Sequence, residues 1–132
     1  MKTYIGTKII KAEPCKAWKD MGEHKAGDEG YKVVYKDGYE SWSPKDVFEE
    51  AYREIGEGLT FGRAIEAMKA GKRIARAGWN GKGMWVAAQF PDENSKMDGG
   101  PYAYISNPAG KLFPWNASQQ DLFAEDWCVL EG

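Results

Sequence analysis

Two short stretches hold most of the side chains that could do chemistry. The first runs Lys72-Arg73-Ile74-Ala75-Arg76-Ala77-Gly78-Trp79-Asn80-Gly81-Lys82-Gly83-Met84-Trp85. Its glycines allow a backbone to approach a ligand closely and leave N–H groups free to face an anion. Arginine takes phosphate oxygens two at a time, and tryptophan offers a flat face to a base. The stretch has neither the Gly-Lys-Ser/Thr ending of a P-loop nor a dinucleotide fingerprint. A basic strand, a glycine turn and core tryptophans would account for the same residues. The second stretch, Phe113 to Trp127, sets Trp115 beside Asn116, Ser118, Gln119 and Asp121. Amides read base edges, and a carboxylate accepts from ribose hydroxyls or an exocyclic amine. Here a capped helical turn is the plainer reading for Ser118, and a place in the core for Leu122 and Trp127.

Catalytic constellations are missing from the sequence. The single histidine, His24, falls in an expected solvated loop, and no serine or cysteine sits in a nucleophile elbow. No histidine pair suits a metal. The adjacent carboxylates Glu125 and Asp126 would point to opposite faces of a strand. Catalysis, a metal and a cofactor are therefore not expected. The net charge of −2 gives no nucleic-acid-like basic excess. No run approaches the roughly 18 apolar residues of a membrane span, and the first residues lack a secretory core. Cys15 and Cys128 form no disulfide framework, so a reducing cytoplasm is expected. Six tryptophans in 132 residues is heavy usage that needs a structural reason.

Positioning these stretches requires a scaffold, and the pattern predicts two small α+β modules. Gly56-Glu57-Gly58 separates residues 1–58 from residues 59–132. The first module reads β-β-β-α. Met1 to Lys11 supplies a strand, and Lys16 to Glu29 a loop. Gly30 to Glu40 forms a hairpin with Tyr31, Val33 and Tyr35 on one face and a type I′ turn at Asp37-Gly38. Ser43-Pro44 then starts a helix striped by Val47, Phe48, Ala51, Tyr52 and Ile55. The second module reads as a helix packed on an antiparallel sheet. Thr60 caps a helix striped by Phe61, Ala64, Ile65 and Met68, with Gly71 past its end. Strands follow over Lys72–Arg76, Met84–Phe90, Tyr102–Ser106, Lys111–Trp115 and Asp126–Leu130. A short helix from Ser118 to Phe123 has Asp121 three residues after its cap. Modules this small bury only about 60% of their unfolded surface, so the second is expected to oligomerise.

At the level of motifs, residues 59–132 resemble a phage-encoded family, the second type of Thoeris anti-defence sponge. The resemblance rests on Thr60-Phe61 with Ala64, Ala70-Gly71-Lys72, Gly78-Trp79-Asn80-Gly81-Lys82-Gly83-Met84, Pro114-Trp115 with Ala117-Ser118-Gln119, and Asp121 ahead of Ala124-Glu125-Asp126-Trp127. It implies a non-enzymatic protein of the infected host cytoplasm. Such a protein binds a cyclic ADP-ribose isomer, in some relatives also cyclic dinucleotides, and withholds it from its receptor. It also implies homotetramers with pockets between protomers, and no nucleic-acid or membrane partner. Residues 1–55, through Gly38-Tyr39-Glu40-Ser41-Trp42-Ser43-Pro44, resemble a small module of other phage proteins without an associated function.

Combining both lines, Trp79, Trp85 and Trp115 are expected to stack on a base or wall a pocket. Arg76 and the turn backbone at Gly81 would hold phosphate. Asn80, Ser118, Gln119 and Asp121 would read base or ribose, with Met84 beside them. Strand alternation sends Arg73 to solvent and makes either Met84 or Trp85 core. Two alternatives use the same aromatics: a protein-interaction module that inhibits a host factor, and a single-strand nucleic-acid binder.

Overall fold

A computed structural model describes residues 1–130, so the last two positions of the expected 59–132 module lie outside it. The chain forms two compact units, Met1–Arg53 and Glu54–Gly132, and the mixed helices and antiparallel sheets make it an α+β protein.

In the first unit, β1 (Lys11–Pro14), β2 (Gly30–Val34) and β3 (Glu40–Pro44) pair antiparallel in that order, followed by α1 (Lys45–Ala51). Alternation along β2 buries Val33 almost completely. Gly30 admits no side chain, because a Cβ there would run into the Trp42 ring and the Ser43 carbonyl. Trp42 is held by an N–H bond to the Cys15 carbonyl at 2.8 Å.

Several local expectations are corrected here. The first strand starts at Lys11, not Met1, because Lys11 already pairs with Val34, the last residue of β2. The ladder with β2 stops there, so the residues before Lys11 form no strand. That turn is not type I′, which needs two positive-φ residues. Only Gly38 has one (φ 89°), following a Gly38 N–H bond to the Tyr35 carbonyl. Ser43 and Pro44 lie in β3, paired with Tyr31 and Gly30, so α1 begins one residue later without a side-chain cap. Seven residues give α1 too little length to bury its stripe. Phe48 stacks on Tyr31 at 4.0 Å and on Tyr52 at 5.0 Å, whereas Val47 and Ile55 stay exposed. His24 is half-buried, edge-on to Trp42 at 5.6 Å, rather than fully solvated.

The second unit opens with α2 (Phe61–Lys69). The Thr60 hydroxyl accepts from the Arg63 N–H at its start. At its end Gly71 N–H bonds the Met68 carbonyl and Lys72 N–H the Ala67 carbonyl, the paired pattern that a left-handed Gly71 (φ 93°) permits. Five strands follow: β4 (Arg73–Arg76), β5 (Trp85–Gln89), β6 (Tyr102–Ser106), β7 (Leu112–Pro114) and β8 (Trp127–Leu130), with α3 (Gln119–Phe123) before β8. The sheet order is β7-β6-β5-β4-β8, all antiparallel.

Ile74 pairs with both Val86 and Val129, which places these three on the face that α2 covers. Leu59, Ala64, Ala67, Met68 and Trp127 complete the core. Leu59 and Gly56 hydrogen-bond to Trp127 and Val129, so the free edge of β8 is closed. The opposite sheet face carries Arg73, Trp85 and Tyr104. Arg73 is not sent to solvent: its guanidinium lies over the Trp85 ring at 5.2 Å. Neither Met84 nor Trp85 is core, since both are half-buried. Leu122, expected inside, is 40% exposed because the short α3 turns it outward. Among the described residues, no helix is long and apolar enough to cross a membrane, and no acidic, histidine or cysteine cluster suits a metal.

Candidate functional site: two turns joined at Asp121

Sequence-distant stretches meet where β4 lies against β8. Arg76 pairs with Trp127 across the ladder, which delivers Arg76, the turn after it and α3 to one place. Ser118 and Asp121 form a reciprocal capping box, each side chain bonding the other's backbone N–H at 3.0 Å. The same Asp121 carboxylate accepts from Arg76 Nη1 at 2.9 Å and from Trp79 Nε1 at 3.2 Å. Its backbone carbonyl accepts the Trp127 indole N–H at 2.9 Å. The buried Asp121 thus joins both turns through its carboxylate and holds the core tryptophan through its backbone carbonyl.

Around that point stands an indole cluster. Trp127 is fully buried, and Trp79 and Trp115 approach it edge-on, with centroids 5.4 and 6.1 Å away. Trp79 and Trp115 are 6.5 Å apart and half-buried, so each keeps accessible surface. Edge-to-face aromatic pairs add about 0.5–1.5 kcal/mol each beyond burial, so the cluster is stiff before anything binds. Three of the six tryptophans are explained here; Trp42 roofs Gly30 and Trp85 meets Tyr104 edge-on at 5.9 Å.

Asp126 completes the arrangement. One oxygen accepts from Arg76 Nε and the other from the Gly78 backbone N–H, both at 2.8 Å. The Arg76 contact is the main reason the Asp126 carboxyl sits below its usual range; burial opposes the shift and the Gly78 N–H adds to it. Asp121 is also lowered. Burial pushes it upward, but the Ser118 N–H, Arg76 and Trp79 together outweigh that push. Arg76 is held above its ordinary value by Asp126 first and Asp121 second. One guanidinium between two carboxylates leaves the cluster at −1, with two of five N–H groups used.

The structure therefore brings together Arg76, Trp79, Trp115, Ser118 and Asp121, with Asn80 and Gln119 exposed beside them. Gly81 and Met84 close the turn: a Cβ on Gly81 would meet the Met84 sulfur, and would stand 2.9 Å from Pro108 Cγ. Trp85 is not part of this group; it lies on the other sheet face. Asp126 was missed by residue-level reading. The sequence offers only its adjacency to Glu125, and its partner Gly78 lies 48 positions away.

The second unit is thus a small α+β fold that gathers an indole cluster, a glycine-rich turn and surface amides at one place. Residues 59–130 match the Tad2-like, Thoeris anti-defense 2-like domain, and the chain belongs to that family. It is also similar to "Thoeris anti-defense 2" of Bacillus phage SP01, 32% identical over 84 residues that cover 54% of this chain and 94% of the relative. The family assigns a phage role against Thoeris defence.

Proposed function

We propose that residues 59–132 bind and sequester a cyclic ADP-ribose-type nucleotide and release it chemically unchanged. The observation that carries this reading is the junction at Asp121, which joins the glycine-rich Trp79 turn to the Trp115 turn. Two half-buried indoles suit an adenine, each stacked face contributing about 1–3 kcal/mol. Asn80, Ser118 and Gln119 supply groups for base and ribose edges. The N–H groups of Gly81–Gly83, with Lys82 and the remaining Arg76 donors, face the diphosphate. Asp121 takes part by fixing Trp79 and Arg76.

Competing with a receptor calls for nanomolar affinity, about −12 kcal/mol. Roughly 35 non-hydrogen atoms at about −0.3 kcal/mol each supply around −10 kcal/mol, so the ligand must be almost enclosed. One unit of this size offers a groove. We therefore place the pocket between copies of the chain, in a homotetramer, with Trp85 and Met84 walling the side a second copy supplies. The setting is the infected cell's cytoplasm, and residues 1–58 act as a separate module.

Calorimetry with cyclic ADP-ribose, its isomers and cyclic dinucleotides, paired with native mass, tests this. Nanomolar binding by an oligomer, and intact ligand recovered after heating the protein, is the expected result. A cleaved product would make the protein an enzyme. A lone subunit without nucleotide affinity would favour the second reading, a module docking on a host protein. Exposed Phe113, Leu112 and Phe123, at 53%, 58% and 82%, are the surface for that alternative.

A further inference from the structure

We infer that Asp126 is the positioning residue of this site: its carboxylate holds the Gly78–Gly83 turn and the Arg76 guanidinium in place before a ligand arrives, without touching the ligand. What the turn is held for rests on the sequestration reading; that it is held does not.

The turn is rich in glycine and mostly exposed; the Trp79 ring anchors its middle in the indole cluster, and its backbone must be fixed at the entry. Its entry is pinned at three points. Ala77 N–H bonds the Asp126 carbonyl at 3.0 Å, Gly78 N–H bonds the Asp126 carboxylate at 2.8 Å, and Trp79 N–H returns to the Arg76 carbonyl at 3.2 Å. Asp126 supplies two of the three, one from its backbone and one, at Gly78, from its carboxylate. Its second oxygen orients Arg76 through Nε, which aims the remaining guanidinium donors. Glycine at position 78 leaves room for the same contact, since a Cβ there would stand 2.7 Å from the carboxylate oxygen and push it aside. An ordered turn spares the ligand the entropy of ordering it.

Asp126→Asn keeps the shape but leaves one acceptor for two donors. Amide hydrogen exchange across the turn, with affinity for cyclic ADP-ribose, is the test. Exchange at Gly78 and Trp79 is expected to rise at least tenfold while Ile74 and Val129 keep their rates, and affinity to fall about tenfold. Gly78→Ala attacks the contact from the other side and is expected to give the same local pattern. Unchanged exchange at Gly78 would overturn the inference. So would a rise spread evenly over β4 and β8, which marks a merely structural role. A wild-type protein with no nucleotide affinity, combined with the local exchange pattern, would overturn the sequestration reading and leave the clamp standing. Wild-type affinity retained by both variants would show that the held turn is not the ligand's contact.

Discussion

Replacing Asp121 by alanine removes the carboxylate that joins the two turns, while the backbone carbonyl that holds Trp127 stays. Three hydrogen bonds to its carboxylate disappear, from Arg76, Trp79 and the Ser118 backbone. The Ser118 hydroxyl still caps the residue-121 N–H, so only the reciprocal half of the capping box goes with them. Bonds to a charged, mostly buried group are worth about 1.5–3 kcal/mol each, but the losses do not add. Arg76 keeps Asp126, and the half-buried Trp79 N–H reaches water. A net loss of about 3 kcal/mol follows. For a unit of this size, 1 kcal/mol shifts the melting temperature by about 4–8 °C, so a fall of about 12–24 °C is expected. Urea unfolding followed by tryptophan emission reads it directly, with the slope unchanged. Asp121→Asn retains the volume and one acceptor oxygen, and is expected to lose about half as much. A loss below about 1 kcal/mol for the alanine variant would refute the reasoning. It would mean that Asp121 is a peripheral cap whose carboxylate faces solvent or ligand.

Three further outcomes follow from the same geometry. Asp121 and Asp126 both have lowered folded-state pKa values, so their stabilisation is fully present above the unfolded carboxylate value of about 3.9 and fades as pH falls through the lower folded values. Urea midpoints for the second unit should therefore be flat from about pH 5 to 8 and drop below about pH 4. A midpoint falling already between pH 7 and 6 would contradict this. Trp115→Ala should cost about 2 kcal/mol, less than the 3–5 of a fully buried tryptophan, because Trp115 is only partly buried. It should weaken nucleotide binding tenfold or more while native mass stays unchanged; an unfolded protein would make Trp115 core. Gly30→Ala should unfold the first unit, since Trp42 cannot move without losing Cys15. Near-ultraviolet dichroism of Trp42 unchanged by that substitution would refute the close packing.

Much of the second unit is legible residue by residue. Thr60, the Phe61 to Met68 stripe and Gly71 announce α2, because capping and left-handed termination are local chemistry. Ser118 with Asp121 announces α3 by the same logic. The first unit is less legible. Ser43-Pro44 carries a helix-start signal that pairing overrode, since β2 offered ladder partners to both residues. Val47 and Ile55 fit a helical stripe, yet α1 is too short to bury them.

Composition, periodicity and turn chemistry thus determined the two-module α+β layout and the two stretches that could bind a ligand, because those signals act within a few residues. Only the tertiary structure decided how the stretches combine. Pairing Arg76 with Trp127 set Asp121 and Asp126 around one guanidinium, drew Trp79 and Trp115 onto Trp127, and sent Trp85 to the opposite face. Contacts that span 40 to 50 positions depend on strand order and register, which no local pattern encodes.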